Sequence, residues 1–588
     1  ERRRLFELPR SSWADYDESL ISEGGGVFPR QSKSIPISAQ VREVLGLDAG
    51  VTRLSPPELL RAILKAPVDL LYNGGIGTYI KASTETNAEV GDKANDSIRI
   101  DGRDVRAKVI GEGGNLGMTQ RGRIEAALSG VILNTDAIDN SAGVDCSDHE
   151  VNIKIFVDRM VAAGRLDASE RSAFLHSMTD EVGRLVLQDN IDQNMLLLND
   201  RQRVIEWSPS FERLMDWLEE HAGLDRALEA LPTKEELRAR VAEGQGLTAP
   251  ELSVLAAYAK IELTRALTAS DLADDPYFRG TLRRYFPKQL VERFDDQLDT
   301  HPLRREIIST MVANDMINIG GITFAFRVME ETSASEATVA RAFSALREIY
   351  AIDDVVAALG ELPASFPTET WTSIHLDMRR LLDRAVRWFV NHVGRGSSID
   401  EDIQAFKPIV EPLRKDLMRF MRGADRDRVE AALEKAAGWD VPKDLGTYWA
   451  EQFESYGLLD VALATRQVEE PAENIAAVYY AVYDRYGIDD LLERITKLPR
   501  GDRWQALARA ALRDDLYSTV ADMTVAALQA TPSMQGEDPV TRVEAWEQEN
   551  ADNLERATKM FAEVNQLEQD EMASLSVALR LLRSIVRR

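Results

Sequence analysis

Val105-Arg106-Ala107-Lys108-Val109-Ile110-Gly111-Glu112-Gly113-Gly114-Asn115 is a short apolar run that stops at a glycine-rich turn. Bounded by turn residues in this way, such a run has the pattern of a strand buried on both faces. Two neighbours repeat it: Val68-Asp69-Leu70-Leu71-Tyr72 stops at Asn73-Gly74-Gly75, and Gly130-Val131-Ile132-Leu133-Asn134 stops at Thr135-Asp136. Between the last two, Thr119-Gln120-Arg121-Gly122-Arg123-Ile124-Glu125-Ala126-Ala127-Leu128 reads as a short helix. Strand, helix, strand is the order of a parallel, doubly wound sheet. The expectation is an α/β domain with a mostly parallel sheet over residues 1–155.

Beyond about residue 150 this order disappears. Apolar residues recur at helical spacing, as in Leu252, Leu255, Ala256, Ala259 and Leu263. Thr233 with Glu236, and Thr248 with Glu251, have capping-box spacing, in which a hydroxyl and a carboxylate satisfy free amides at a helix start. Leu575, Leu579, Leu582 and Val586 place a last helix at the end, with Arg580, Arg583, Arg587 and Arg588 where cations suit the helix dipole. The segment Thr531–Pro539, bracketed by prolines around Gly536, is the clearest loop. Residues 156–588 are expected to form a large all-α domain, with room for two or more helical subdomains.

The chain has 588 residues, 44% of them apolar and 29% charged, which is ordinary for a globular protein and too long for one core. Its 71 basic and 98 acidic residues leave a formal net charge of −27. A surface of that sign repels phosphate backbones and anionic lipid, so neither nucleic acid nor a membrane is expected as partner. No apolar stretch reaches the roughly 18 residues of a membrane span. The single cysteine, Cys146, excludes an internal disulfide and a cysteine-based zinc cluster, and points to a reducing cytoplasm. The six histidines show no His-x-x-x-His spacing, so no metal site is expected, even with His149 beside Cys146 and Asp148. Asp15 and Asp17, near Gly24-Gly25-Gly26, read as a solvated turn rather than a cofactor loop. The chain opens Glu1-Arg2-Arg3-Arg4, without an initiating Met or an apolar signal core, as a fragment would.

Gly111-Glu112-Gly113-Gly114-Asn115-Leu116-Gly117 follows a strand, opens a helix, and has Asp136 at the end of the next strand. This is close to the dinucleotide fingerprint, in which glycines let the backbone approach a pyrophosphate at a helix N-terminus. The last glycine falls one residue late for that pattern. One reading is thus a Rossmann-like oxidoreductase using Gly111–Gly117 as a pyrophosphate loop; the other is a tight turn that needs no ligand.

Lys108-Val109-Ile110-Gly111-Glu112-Gly113-Gly114-Asn115 also resembles the K-I-V-x-E-G-A-N segment of glutamate dehydrogenases. Ile132 to Val144 is similar to their P-D-x-x-x-N-A-G-G-V segment, and Asp145-Cys146-Ser147-Asp148-His149-Glu150 fits their x-x-S-x-x-E in register. Val68 to Gly75 sits where that family has a D-V-L-I-P-A-A strand end. The wording of these blocks, with Asn73-Gly74-Gly75-Ile76-Gly77-Thr78-Tyr79, most resembles the large bacterial NAD-specific subgroup, which also carries a long helical C-terminal domain.

The resemblance implies the C-terminal part of an NAD-binding Rossmann-like domain, followed by the helical domain. It places Asn73, Gly74, Gly75, Gly113, Gly114, Asn115 and Asn140 against NAD, lets Gly143 approach closely, and puts Ser147 on the side-chain carboxylate of glutamate. Without it, Asn140 reads as a helix cap or Asx turn, and Ser147 as an N-cap boxed by Glu150. The implied reaction is oxidative deamination of L-glutamate to 2-oxoglutarate in a homo-oligomer, a tetramer or larger. No K-G-G-type motif is present, so no catalytic residue is expected here and the isolated chain is expected to be inactive. A purely helical oligomerisation or regulatory module is the remaining alternative.

Overall fold

The computed structural model describes residues 1–393, 397–551 and 571–586, together with Leu554, Glu555, Lys559 and Glu563. It divides into two compact units. The first comprises Glu1–Ser208, Met215–Tyr258 and Phe286–His301; the second comprises Pro209–Leu214, Ala259–Tyr285 and Pro302–Arg588.

The first unit holds the strands, and all are short. Strand β1 (Leu70–Asn73) pairs in parallel with β2 (Val109–Glu112), in the register Leu70↔Val109 to Asn73↔Glu112. Ile132 adds a single parallel bridge to Val109 on the other side of β2. Ile80–Lys81 pairs with Ile100–Asp101, and Ile35–Pro36 with Arg53–Leu54. Beneath β1 and β2 lies a core of Ile80, Ile100, Val105, Ala107, Ile110, Met118, Ala126, Val131 and Leu133. Helix α1 (Gln120–Leu128) is capped by Thr119, whose hydroxyl accepts the Gly122 amide. Two longer helices follow, α2 (Ser141–Ala162) and α3 (Thr179–Gln202), and they pack together. Asp15 and Asp17 sit at short 3-10 turns, Asp15 completing a capping box with Ser12 and Asp17 accepting the Ser19 amide.

This corrects the expected doubly wound, partial Rossmann-like sheet: helix makes up 68% of the chain and strand only 3%, in separate two-stranded sheets. The run around Val105 misled because apolar residues report burial, not pairing. Gly102–Asp104 forms a 3-10 turn, and Val105 and Ala107 enter the core without joining a ladder. Only the four residues from Val109 to Glu112 find a strand beside them. The two-sided burial inferred for these runs is also absent, since Leu70, Tyr72, Val109 and Ile132 are exposed.

The second unit is helical throughout its described residues. Within it, α4 (Thr368–His392) buries Ile374, Met378, Leu381, Leu382, Ala385, Val386 and Phe389. Two buried acids there are held in different ways. Asp383 accepts from Arg327 at 2.8 Å and pairs with Arg387 at 2.5 Å. Burial alone would raise its pKa, but the two guanidiniums outweigh that and hold it at about 2. Asp460 has no such partner among the described residues; it accepts from the Trp388 indole at 2.8 Å and the Tyr479 hydroxyl at 3.2 Å, and burial pushes it up to about 7. The end of the chain packs through α5 (Arg503–Ala530), α6 (Pro539–Glu549) and α7 (Met572–Val586). Asp538 caps α6, with Pro539 in its first turn. Arg542, 1% exposed, leaves α6 to meet Glu470 at 2.7 and 2.9 Å.

The 249–269 helix buries Leu252, Leu255, Ala256, Ala259 and Leu263. Leu575, Leu579 and Leu582 are buried in α7, and Arg583 pairs with Asp515, while Arg587 and Arg588 lie outside the described residues. No single helix among the described residues is long and apolar enough to cross a membrane.

Candidate functional site

Parallel pairing places the carboxyl ends of neighbouring strands side by side, where open sheets bind ligands. Here β1 ends at Asn73 and β2 at Glu112, so Gly74-Gly75 and Gly113-Gly114-Asn115 emerge together. The two turns are fastened to each other: the amides of Gly113 and Gly114 both donate to the Asn73 carbonyl, at 2.8 and 3.0 Å. Side-chain-free positions make this possible. A Cβ on Gly114 would lie 2.4 Å from the Gly75 carbonyl oxygen, and one on Gly117 would lie 1.7 Å from Asn73 Nδ2. That Asn73 amide nitrogen is buried and has no hydrogen-bond partner.

The turn is also tied from below. Leu116 adopts φ 59°, a left-handed conformation that is uncommon without glycine, and its amide donates to Asp136 Oδ2 at 2.8 Å. Arg123 of α1 reaches Glu112 at 2.6 and 3.0 Å and Asp136 at 3.1 Å. The Glu112 amide donates to Asp139 Oδ2 at 3.0 Å. Burial pushes the Glu112 and Asp139 carboxyls above their ordinary range, with Arg123 opposing it at both. Asn134 bridges Asp139 and Asn194 of α3, at 3.2 and 2.8 Å. Asn190 of α3 donates to the Ile138 carbonyl at 2.7 Å and to Ser141 Oγ at 3.2 Å.

Asn140 joins this assembly from the start of α2. It occupies the N-cap but makes no side-chain cap bond; instead its Nδ2 donates to Asn115 Oδ1 at 2.8 Å. Ser147 lies within α2, seven positions after Asn140 and therefore on the same helical face. Gly143, Val144 and Ser147 leave that face open to solvent. Ser147 is neither an N-cap nor boxed, since the helix begins at Ser141 and Glu150 pairs with Lys154. A Cβ on Gly143 would meet only the Asn140 side chain, at 3.4 Å, so no tight approach requires that glycine here.

The structure thus gathers Asn73, Gly74, Gly75, Gly113, Gly114, Asn115 and Asn140 at one rim, with Ser147 two turns along the adjoining helix. Sequence reasoning missed the frame beneath: Glu112, Arg123, Asp139, Asn134, Asn190 and Asn194. No local signal singles out Arg123, which shares α1 with Gln120, Arg121 and Glu125; its burial follows from packing alone.

Two family models together match most of the chain. Residues 1–200 match the family described as bacterial NAD-glutamate dehydrogenase, catalytic domain, and residues 244–584 match glutamate dehydrogenase, C-terminal. The NAD-specific glutamate dehydrogenase of Mycobacterium tuberculosis is 44% identical over 591 residues, covering 100% of this chain. Those of Pseudomonas aeruginosa and Halomonas elongata are 43% and 41% identical, each over 99% of the chain. The chain spans 36% of the length of each of these relatives. It belongs to the bacterial NAD-glutamate dehydrogenase family.

Proposed function

We propose that the rim formed by Asn73, Gly74, Gly75, Gly113, Gly114, Asn115 and Asn140 faces NAD in an NAD-dependent glutamate dehydrogenase, and that Ser147 contacts L-glutamate. In that reaction glutamate, water and NAD give 2-oxoglutarate, ammonium, NADH and a proton. NAD supplies the acceptor for the hydride that leaves the substrate α-carbon. This chain's part is placement. The mutually bonded amides of Asn115 and Asn140 present fixed donors and acceptors at the rim, and the glycines let the backbone come close. Ser147 offers a hydroxyl donor to a carboxylate on the open face of α2. No residue of this chain is assigned a bond-making or proton-transfer role.

The observation that carries this reading is the Asn140–Asn115 hydrogen bond, which links two turns 25 residues apart at the sheet edge. A pyrophosphate loop at Gly111–Gly117 is disfavoured because three of the amides it would offer are used internally. Those of Gly113 and Gly114 serve the Asn73 carbonyl, and that of Leu116 serves Asp136.

In the full-length enzyme, Asn140→Ala is expected to raise KM for NAD about tenfold, the loss of roughly one hydrogen bond. Ser147→Ala is expected to raise KM for glutamate and leave that for NAD unchanged. The isolated 588-residue chain, expected to form no NADH from glutamate, is the background control. Steady-state kinetics with both substrates varied decides it, and unchanged constants in both variants would remove these residues from the site.

In the same reading the helical second unit carries the contacts of a homo-oligomer, a tetramer or larger. Deleting it from the full-length enzyme is expected to lower the assembly mass beyond the residues removed, measured by size exclusion with light scattering. An unchanged subunit number rules this out.

A further inference from the structure

The buried face of α2, opposite Ser147, brings three metal-ligating groups together. Asp145 and His149 are four residues apart and so lie on one side of the helix, facing Asp189 of α3. His149 Nε2 is 4.0 Å from Asp145 Oδ1 and 3.9 Å from Asp189 Oδ2, and all three donor atoms fall within 4.8 Å of one another. His149 is only 3% exposed. Three deeply buried carboxylates elsewhere are met by arginine, Glu112 by Arg123, Glu251 by Arg240 and Glu470 by Arg542, and buried Asp460 is met by the Trp388 indole and the Tyr479 hydroxyl. Among the described residues neither Asp145 nor Asp189 has a lysine or arginine within ion-pair distance. Asp145 Oδ2 is additionally shut off from water, and no amide, hydroxyl or cationic group among the described residues donates to it.

We infer that Asp145, His149 and Asp189 form a binding site for one divalent cation of the zinc type, clamping α2 to α3. The donor set sets the class. Imidazole selects zinc and its neighbours over magnesium and calcium, which prefer all-oxygen shells. Three protein ligands leave a fourth tetrahedral position for water. Zinc bonds of about 2 Å place tetrahedral ligands roughly 3.3 Å apart. The present separations of 3.9 and 4.0 Å, and the third within 4.8 Å, are longer than this, so the side chains draw in by about 1 Å on binding. The sequence spacing concealed the site because it uses one histidine and a carboxylate from a distant helix rather than a histidine pair.

The clamp is continuous with the rim. Asn190 and Asn194, beside Asp189 on α3, hold the turns at Ile138 and Asn134 that precede α2. A cation here fixes the helix that carries Asn140 and Ser147. The site does not depend on what the rim binds.

Calorimetric titration of the metal-stripped chain with zinc chloride tests it. One ion per chain is expected, bound at least 100-fold more tightly than magnesium, and cobalt(II) in its place is expected to show visible tetrahedral absorption bands. Asp189→Asn, at a half-exposed position, should retain the fold by circular dichroism and lose that ion; His149→Gln should do the same. Cys146→Ser and the exposed His176→Gln should bind as the parent does. Absence of stoichiometric binding, or binding that survives both Asp189→Asn and His149→Gln, overturns the inference. Loss of binding in Cys146→Ser or His176→Gln with retention in Asp189→Asn does so as well. Since every readout is binding or absorption, its failure leaves the NAD reading untouched.

Discussion

Arg123→Met is expected to destabilise the first unit by about 3–5 kcal/mol, the usual result of stripping one partner from a buried ion pair. The arginine side chain is 6% exposed and its partner Glu112 is 1% exposed. Removing the guanidinium deletes two hydrogen bonds to Glu112 and the contact with Asp136. It also leaves a carboxyl already pushed above its ordinary range by burial with nothing to oppose that push. Glu112 then takes up a proton at neutral pH or the turn opens to let water in. Chemical denaturation of the chain, read at its first transition, measures the loss. The double variant Glu112→Leu/Arg123→Met is expected to recover most of it, because apolar residues of similar size can replace a buried pair at little cost. A loss below about 1 kcal/mol in the single variant would mean that the pair is solvated and that the turn is held some other way.

The same cluster shows what could be read from the chain and what could not. The strand ends at Asn73 and Glu112 were legible because such ends carry a local signal, an apolar run and then glycine and asparagine, whereas Asn115 and Asn140 were singled out only by the family resemblance. The extent of the sheet was not legible. Val105 and Ala107 are as apolar as any strand residue, yet a 3-10 turn at Gly102–Asp104 keeps them out of the ladder. Pairing depends on a partner brought in from elsewhere, and nothing in residues 105–110 encodes that partner's length. Beyond residue 150 the apolar spacing around Leu252 and the box at Thr233 marked helices directly, because helical hydrogen bonds are local. Ser147 exposes the limit of capping logic. Its spacing to Glu150 fits a box, but Ser141 already starts the helix and Glu150 turns to Lys154. Neither Asp189 beside His149 nor Asn194 beside Asn134 could be inferred, since both contacts are made across the packing of α2 and α3.

Gly114→Ala separates a rim that positions a cofactor from a rim that is merely a tight turn. Its backbone does not require glycine for conformational reasons, since its φ is not positive. What excludes a side chain is proximity: a Cβ would sit 2.4 Å from the Gly75 carbonyl oxygen and 2.9 Å from its carbon. These are backbone atoms, so no rotamer change can relieve the clash. The segment cannot simply lift away either, because the Gly113 and Gly114 amides are bonded to the Asn73 carbonyl. Restoring ordinary contact at 3.4 Å parts the two turns by about 1 Å (3.4 − 2.4). Forcing in one extra methyl group costs about 1–3 kcal/mol, which the chain should survive folded. A shift of that size in groups that orient reactants costs on the order of 100-fold in rate. The full-length enzyme carrying Gly114→Ala is therefore expected to lose roughly two orders of magnitude in kcat/KM for NAD, with a modest fall in Tm. Gly183→Ala, in α3 with nothing within 4 Å of the added methyl, is the matched control and should retain activity. Full activity in a folded Gly114→Ala enzyme would show that the rim can be displaced without consequence, and the cofactor would then have to be sought away from Asn73 and Asn115.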